Sequence, residues 1–153
     1  MEAIHRFLST KTFGEYSVVF RQHKADNSKC SYAHGHDIRF KVWFSAESLD
    51  DKNWVQDFGE FKRNGSKDFL SDLFDHNVCL SDDDPALDEF VRLNSLGLIC
   101  LKIFRGVGCE KFAEFVFDYL DEVVSSESDG RVSVVKVECF EGATNSAIYE
   151  AVE

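Results

Sequence analysis

The sequence predicts an α+β protein, with an antiparallel sheet carrying helices on one face. Three observations carry this reading. Ile38, Phe40, Val42 and Phe44 alternate with Asp37, Arg39 and Lys41, the pattern of a half-buried strand. Phe112, Phe115, Val116, Tyr119, Leu120 and Val123 recur at helical spacing. Strand-like segments lie at both ends of the chain with the helical ones between them, in the order ββα(αβ)αββ.

Taken in order, residues 13–23 alternate through Tyr16, Val18 and Phe20 and form a first strand, followed by a polar loop from Lys24 to Lys29. A second strand runs from His34 to Ala46. Phe61, Phe69, Leu70, Leu73 and Phe74 lie on a helix, irregular at Asn64-Gly65, with Asp75-His76-Asn77 at its end. Asp84 as N-cap and Pro85 at the first helical position open another helix, which Gly97 stops. Residues 98–104 form a short strand, and Glu110 opens the long helix, closed by a turn-rich loop from Ser125 to Gly130. Final strands cover Val132 to Phe140 and Asn145 to Val152.

With 153 residues, 44% of them hydrophobic and fifteen of them Phe, the chain can bury one good core and has no Pro- or Gly-rich linker to divide it, so residues 1–153 read as one domain. A formal charge of -11 argues against nucleic-acid or anionic-membrane partners, which need a basic stripe. No stretch approaches a membrane span or a secretory leader, and cytoplasmic localisation is expected. Cys30, Cys79, Cys100, Cys109 and Cys139 follow no disulfide framework and read as small hydrophobes in a reducing compartment, Cys30 excepted.

The stretch Cys30-Ser31-Tyr32-Ala33-His34-Gly35-His36 carries the chemistry. His34 and His36 extend the apolar parity of the second strand, so both imidazoles point to one face and can grip a cation if a third ligand approaches from a neighbouring strand. His23 is the candidate for that third ligand. Three neutral imidazoles leave a fourth position open, the arrangement of catalytic zinc, although nickel, copper and iron take the same donors. Cys30 is either a fourth ligand or a nucleophile or base whose thiolate a nearby dication favours. Asp75-His76 is either an acid-base pair or a polar turn, because adjacent side chains do not normally hydrogen-bond. Glu110 sits where a helix dipole favours a carboxylate, and Glu141 follows a Val-rich strand.

In order along the chain stand Cys30-x-x-x-His34-Gly35-His36, Val55-Gln56-Asp57-Phe58-Gly59 with Lys62, Asp75-His76-Asn77, Cys109-Glu110 leading a helix, and Glu141 followed by Asn145-Ser146-Ala147-Ile148-Tyr149. Together they resemble the 6-pyruvoyl-tetrahydropterin synthase family from about Phe13 onward, and more closely its bacterial 6-carboxy-tetrahydropterin synthase branch of queuosine biosynthesis. The three residues between Cys30 and His34 favour that branch, since the pyruvoyl-forming synthases of animals carry a longer insertion there.

The resemblance implies the tunnelling fold, a four-stranded antiparallel sheet with helices on one side, whose subunits join edge to edge into barrels and bury their sheet edges. It implies a homo-oligomer, expected to be a hexamer of two trimers with sites at subunit interfaces. It makes His23, His34 and His36 zinc ligands that hold the side-chain hydroxyls of 7,8-dihydroneopterin triphosphate. Cys30 becomes the general base, and His76 with Asp75 becomes a proton relay drawn from a second subunit. Glu141 takes the guanidine-like edge of the pterin through a bidentate contact, with Glu110 as a second anchor.

Three stretches depart from the family pattern. Phe20-Arg21-Gln22 replaces small residues before His23, Val107-Gly108-Cys109 stands where Pro-Thr-Ser is common, and the segment between His76 and Glu110 is long. The departures at Arg21, Gln22 and Gly108 feed one alternative, a non-catalytic zinc or pterin binder; a family enzyme with a pyruvoyl or hydroxymethyl product is another.

Overall fold

The computed structural model describes residues 1–153. Its strands are β1 (Phe7–Phe20), β2 (His34–Ala46), β3 (Asn77–Ser81), β4 (Leu101–Phe104), β5 (Ser133–Glu141) and β6 (Asn145–Glu150). Its helices are α1 (Glu60–Arg63), α2 (Ser66–Phe74), α3 (Leu87–Ser95) and α4 (Cys109–Glu127), with one 3-10 turn at Lys29–Ser31.

All six strands share one sheet in the order β4-β3-β1-β2-β5-β6. The expected four-stranded antiparallel sheet is thus only part of a larger mixed one. Strands β1, β2, β5 and β6 pair antiparallel. The long segment between His76 and Glu110 adds β3 parallel to β1 and β4 parallel to β3. Parallel neighbours need crossovers, and α2 and α3 supply them.

Strand parity decides the core face. Val18 and Phe20 of β1, Ile38, Phe40, Val42 and Phe44 of β2, and Val137 and Cys139 of β5 are buried together. Against them lie Phe61 of α1, Leu70 and Phe74 of α2, and Phe112, Ala113, Val116, Leu120 and Val124 of α4, at helical intervals. One cluster of 26 buried residues results. Phe112 meets Phe20, Phe74 and Phe104 edge-on, each at 5.3 Å between ring centroids, a favoured aromatic geometry. The register between β1 and β2 slips between Phe13 and Tyr16, so the apolar parity of β1 changes there.

Several boundaries differ from the sequence expectation. β1 starts six residues earlier, at Phe7. α3 begins at Leu87 rather than at Pro85, because the Asp84 carboxylate bonds the Ala86 N–H at 2.8 Å in a preceding turn and is itself held by Arg21. α4 runs on to Glu127, past Ser125, and the Gly130 N–H returns to the Ser125 carbonyl. No helix is long and apolar enough to cross a membrane.

Candidate active site

The C-terminal end of β1, the N-terminal end of β2, the end of β5, the start of β6 and the N-terminus of α4 meet at one edge of the sheet. They enclose a cleft of about 260 Å³ whose walls include Cys30, His34, His36, Glu110 and Glu141. Five of the eight expected site residues therefore come together. Larger hollows lie elsewhere, one of about 790 Å³ beside Arg131 and one of about 490 Å³ beside Trp54, and neither holds a thiol or a pair of imidazoles. The Val55–Gly59 motif lines the second of these rather than the cleft.

His36 sits opposite Val18 in the β1–β2 ladder, and its ring stacks on Phe20 at 4.1 Å. Its Nδ1 lies 2.5 Å from Glu141 Oε1, and its Nε2 is buried with no hydrogen-bond partner. Burial, and secondarily the nearby His34, lowers the His36 pKa against the opposing pull of Glu141, so the ring is neutral at neutral pH. A neutral ring donating Nδ1–H to a carboxylate leaves a lone pair on Nε2. Burying that lone pair without a partner is costly, which marks Nε2 as an atom able to bind a ligand.

His34 repeats the arrangement. Its Nδ1 is 2.6 Å from the Tyr32 carbonyl, which directs the proton to Nδ1 and the lone pair to Nε2. The two rings are 4.3 Å apart. Two imidazoles with Nδ1 fixed by oxygen acceptors and Nε2 free match the outer-shell pattern of histidine metal ligands, so this pair fits two positions of such a site. His23 does not complete the set in this arrangement: its Nε2 bonds Asp83 Oδ1 at 3.0 Å, and no three His, Cys, Asp or Glu side chains gather in a metal-holding group. Asp83 is also bonded by Ser81 and Lys24; the Ser81, His23 and Lys24 contacts, in that order, hold its carboxyl well below the usual carboxylate range.

Cys30 lies in the 3-10 turn capped by Ser28, whose hydroxyl accepts from Cys30 N–H at 3.1 Å. Cys30 and Cys100 are exposed, while Cys79, Cys109 and Cys139 are buried; all five are free thiols. Burial pushes the Cys79 thiol up to about 12, which suits a core side chain rather than a nucleophile. Glu110 opens the first turn of α4, where the helix dipole favours its charge. Glu141 has one oxygen committed to His36 and the other 3.9 Å from Cys109 Sγ, so the expected bidentate contact to a ligand would compete with His36.

Asp75 and His76 lie outside the cleft. Their side chains do pair, with His76 Nδ1 3.1 Å from Asp75 Oδ2, inside an exposed turn that follows α2, so the acid-base pair and the polar turn describe the same two residues. His76 has a left-handed backbone, φ 62°, so the alternation that would send neighbouring side chains apart does not apply. The Ser17 N–H, 2.9 Å from Asp75 Oδ1, is the main cause of that carboxyl's lowered pKa.

Sequence reasoning missed three contributors. Phe20 was legible only as a core residue, and Asp83 only as part of an acidic run. Gln22 Nε2 donates to the Val107 carbonyl at 2.8 Å beside Gly108, whose φ is 112° and where a Cβ would stand 2.4 Å from that nitrogen. The departures at Gln22 and Gly108 are therefore one mutual fit.

Comparison with known proteins agrees with this architecture. The profile of the family described as 6-pyruvoyl tetrahydropterin synthase matches residues 4–152. A 6-carboxy-5,6,7,8-tetrahydropterin synthase from Aquifex aeolicus is 31% identical over 155 residues, covering 97% of this chain and 92% of its own. An uncharacterized protein from Wolinella succinogenes superposes with a TM-score of 0.77 at 20% identity, covering 95% of this chain and 98% of its own. The 6-pyruvoyl tetrahydropterin synthase of Caenorhabditis elegans superposes with a TM-score of 0.64 at 23% identity, over 99% and 100% of the two chains. These structural likenesses speak for the fold, and the full-length matches in sequence make this chain a member of the 6-pyruvoyl tetrahydropterin synthase family.

Proposed function

We propose that this chain is a zinc-dependent 6-carboxy-5,6,7,8-tetrahydropterin synthase, converting 7,8-dihydroneopterin triphosphate and water to the carboxy pterin with release of acetaldehyde and triphosphate, on the route to 7-deazaguanines. The full-length Aquifex relative supports the branch. The observation that carries the chemistry is the buried, unpartnered Nε2 of His36 beside His34 and Cys30.

His34 and His36 would hold zinc through Nε2, with His23 released from Asp83 as the third ligand. Bound zinc supplies Lewis-acid polarisation of the substrate's side-chain hydroxyls, which acidifies the neighbouring C–H and O–H groups. Cys30, as thiolate, takes a proton from the side-chain carbon. His76, oriented by Asp75, passes protons on the opposite side of the substrate. Because that pair lies outside the cleft, a second copy must deliver it, and the active form is an oligomer, a hexamer in this reading, working in the cytoplasm. Glu110 and the second oxygen of Glu141 take the N–H edge of the pterin, while the first oxygen of Glu141 stays on His36. Net charge opposes a triphosphate, so Lys29, next to Cys30 in the 3-10 turn, offsets repulsion.

Metal dependence tests this reading. Zinc-loaded protein should turn over dihydroneopterin triphosphate, a chelator should stop it, and added zinc should restore it in wild type but not in His36→Ala. Full turnover by the metal-free protein would refute the zinc site.

A further inference from the structure

Arg21 reaches from the end of β1 in three directions. Nε donates to Asp84 Oδ2 at 2.8 Å and Nη2 to Asp84 Oδ1 at 2.6 Å, a fork-on-fork pair, while Nη1 donates to the Ser31 carbonyl at 3.2 Å. The Asp84 side chain is wholly buried, so it is a fixed anchor rather than a mobile surface charge. Ser31 is the neighbour of Cys30 in the Lys29–Ser31 turn, which buries none of its own residues. One short turn cannot hold itself in water, so its placement depends on hydrogen bonds to the rest of the protein. Those bonds come from the Gln22 N–H to the Cys30 carbonyl at 2.8 Å and from Arg21 to Ser31.

We propose that Arg21 is a positioning residue for Cys30: braced on the buried Asp84 carboxylate, its guanidinium fixes the Lys29–Ser31 turn and thereby aims the thiol into the cleft beside His34 and His36. The inference rests on the reading of Cys30 as the base of the site. It also gives the long segment between His76 and Glu110 a task, since the turn after β3 delivers Asp84. Lysine would keep the charge opposite Asp84 but lacks the planar fork that bonds both Asp84 oxygens and Ser31 at once.

The test is Arg21→Lys in the zinc-loaded protein, read by amide hydrogen exchange and by steady-state turnover of dihydroneopterin triphosphate. Exchange at Cys30, Ser31 and Tyr32 should quicken at least about fivefold while β5 and α4 keep their rates. Turnover should lose about tenfold in kcat with KM within about twofold, as expected when a reacting group is misaimed rather than removed. Unchanged exchange at the turn overturns the proposal, and so does faster exchange with undiminished kcat. Should exchange rise throughout the protein, the paired variant R21M/D84N removes both charges together and keeps an acceptor for the Ala86 N–H; fast exchange confined to the turn then upholds the brace, and slow exchange there overturns it. If wild-type protein shows no turnover, the pterin reading fails alone and the exchange comparison decides whether Arg21 holds the turn.

Discussion

Replacing Glu141 with Gln isolates what the carboxylate does for His36. The acceptor and shape are kept and only the charge is lost, at a contact of 2.5 Å. A hydrogen bond to a charged group contributes about 1.5–3 kcal/mol and a neutral one about 0.5–1.5 kcal/mol. The Glu141 side chain is 37% exposed, so solvent screening puts the difference toward its lower end, about 1 kcal/mol. That is about fivefold in zinc affinity. Competition against a chromogenic chelator at neutral pH would measure it, with His36→Ala as the reference for full loss of the ligand. An affinity equal to wild type would refute the view that Glu141 orients and polarises His36, and a loss as large as that of His36→Ala would show that Glu141 is itself a ligand.

Other perturbations separate the roles further. Cys30→Ala should keep stoichiometric zinc and the assembled state while abolishing turnover; loss of zinc, measured by elemental analysis, would make Cys30 a ligand instead. Asp84 has a folded pKa below its ordinary 3.8, chiefly through the Arg21 contact, so its contribution to stability is present above that value and disappears as pH falls through the lower folded pKa. Denaturant titrations below about pH 4 should therefore show a shallower acid loss for Asp84→Asn than for wild type, and identical slopes would contradict the pairing. Phe112→Ala removes a fully buried ring with three aromatic neighbours and should cost about 3–5 kcal/mol in unfolding free energy. Gly108→Ala places a methyl where Gln22 Nε2 stands, at a backbone φ unsuited to alanine, so it should lower Tm and quicken exchange at the start of α4, whereas the same change at the open Gly65 lacks that clash.

What the sequence made legible follows from periodicity. β2 was readable to the residue because its two faces meet different environments, and α4 because its apolar stripe is continuous. β3 was invisible: Asn77, Val78, Cys79, Leu80 and Ser81 are all buried, so no alternation marks them, and the five strands read from the pattern became six. His34 and His36 stand on one side of β2 with rings 4.3 Å apart, because strand parity carries over to side-chain direction. The contacts that complete the site were not legible, because they join residues far apart in the chain. Arg21 to Asp84 spans 63 positions and Gln22 to Val107 spans 85. The Asp75-His76 hydrogen bond depended on one left-handed residue that no pattern announces.

The identity of the product is the most direct test of the proposed activity. Purified zinc-loaded protein incubated with 7,8-dihydroneopterin triphosphate, followed by mass spectrometry of the pterin and chemical trapping of the released aldehyde, should yield carboxy pterin and acetaldehyde in equal amounts. A pyruvoyl pterin without acetaldehyde, or substrate returned unchanged by the zinc-bound oligomer, would contradict it.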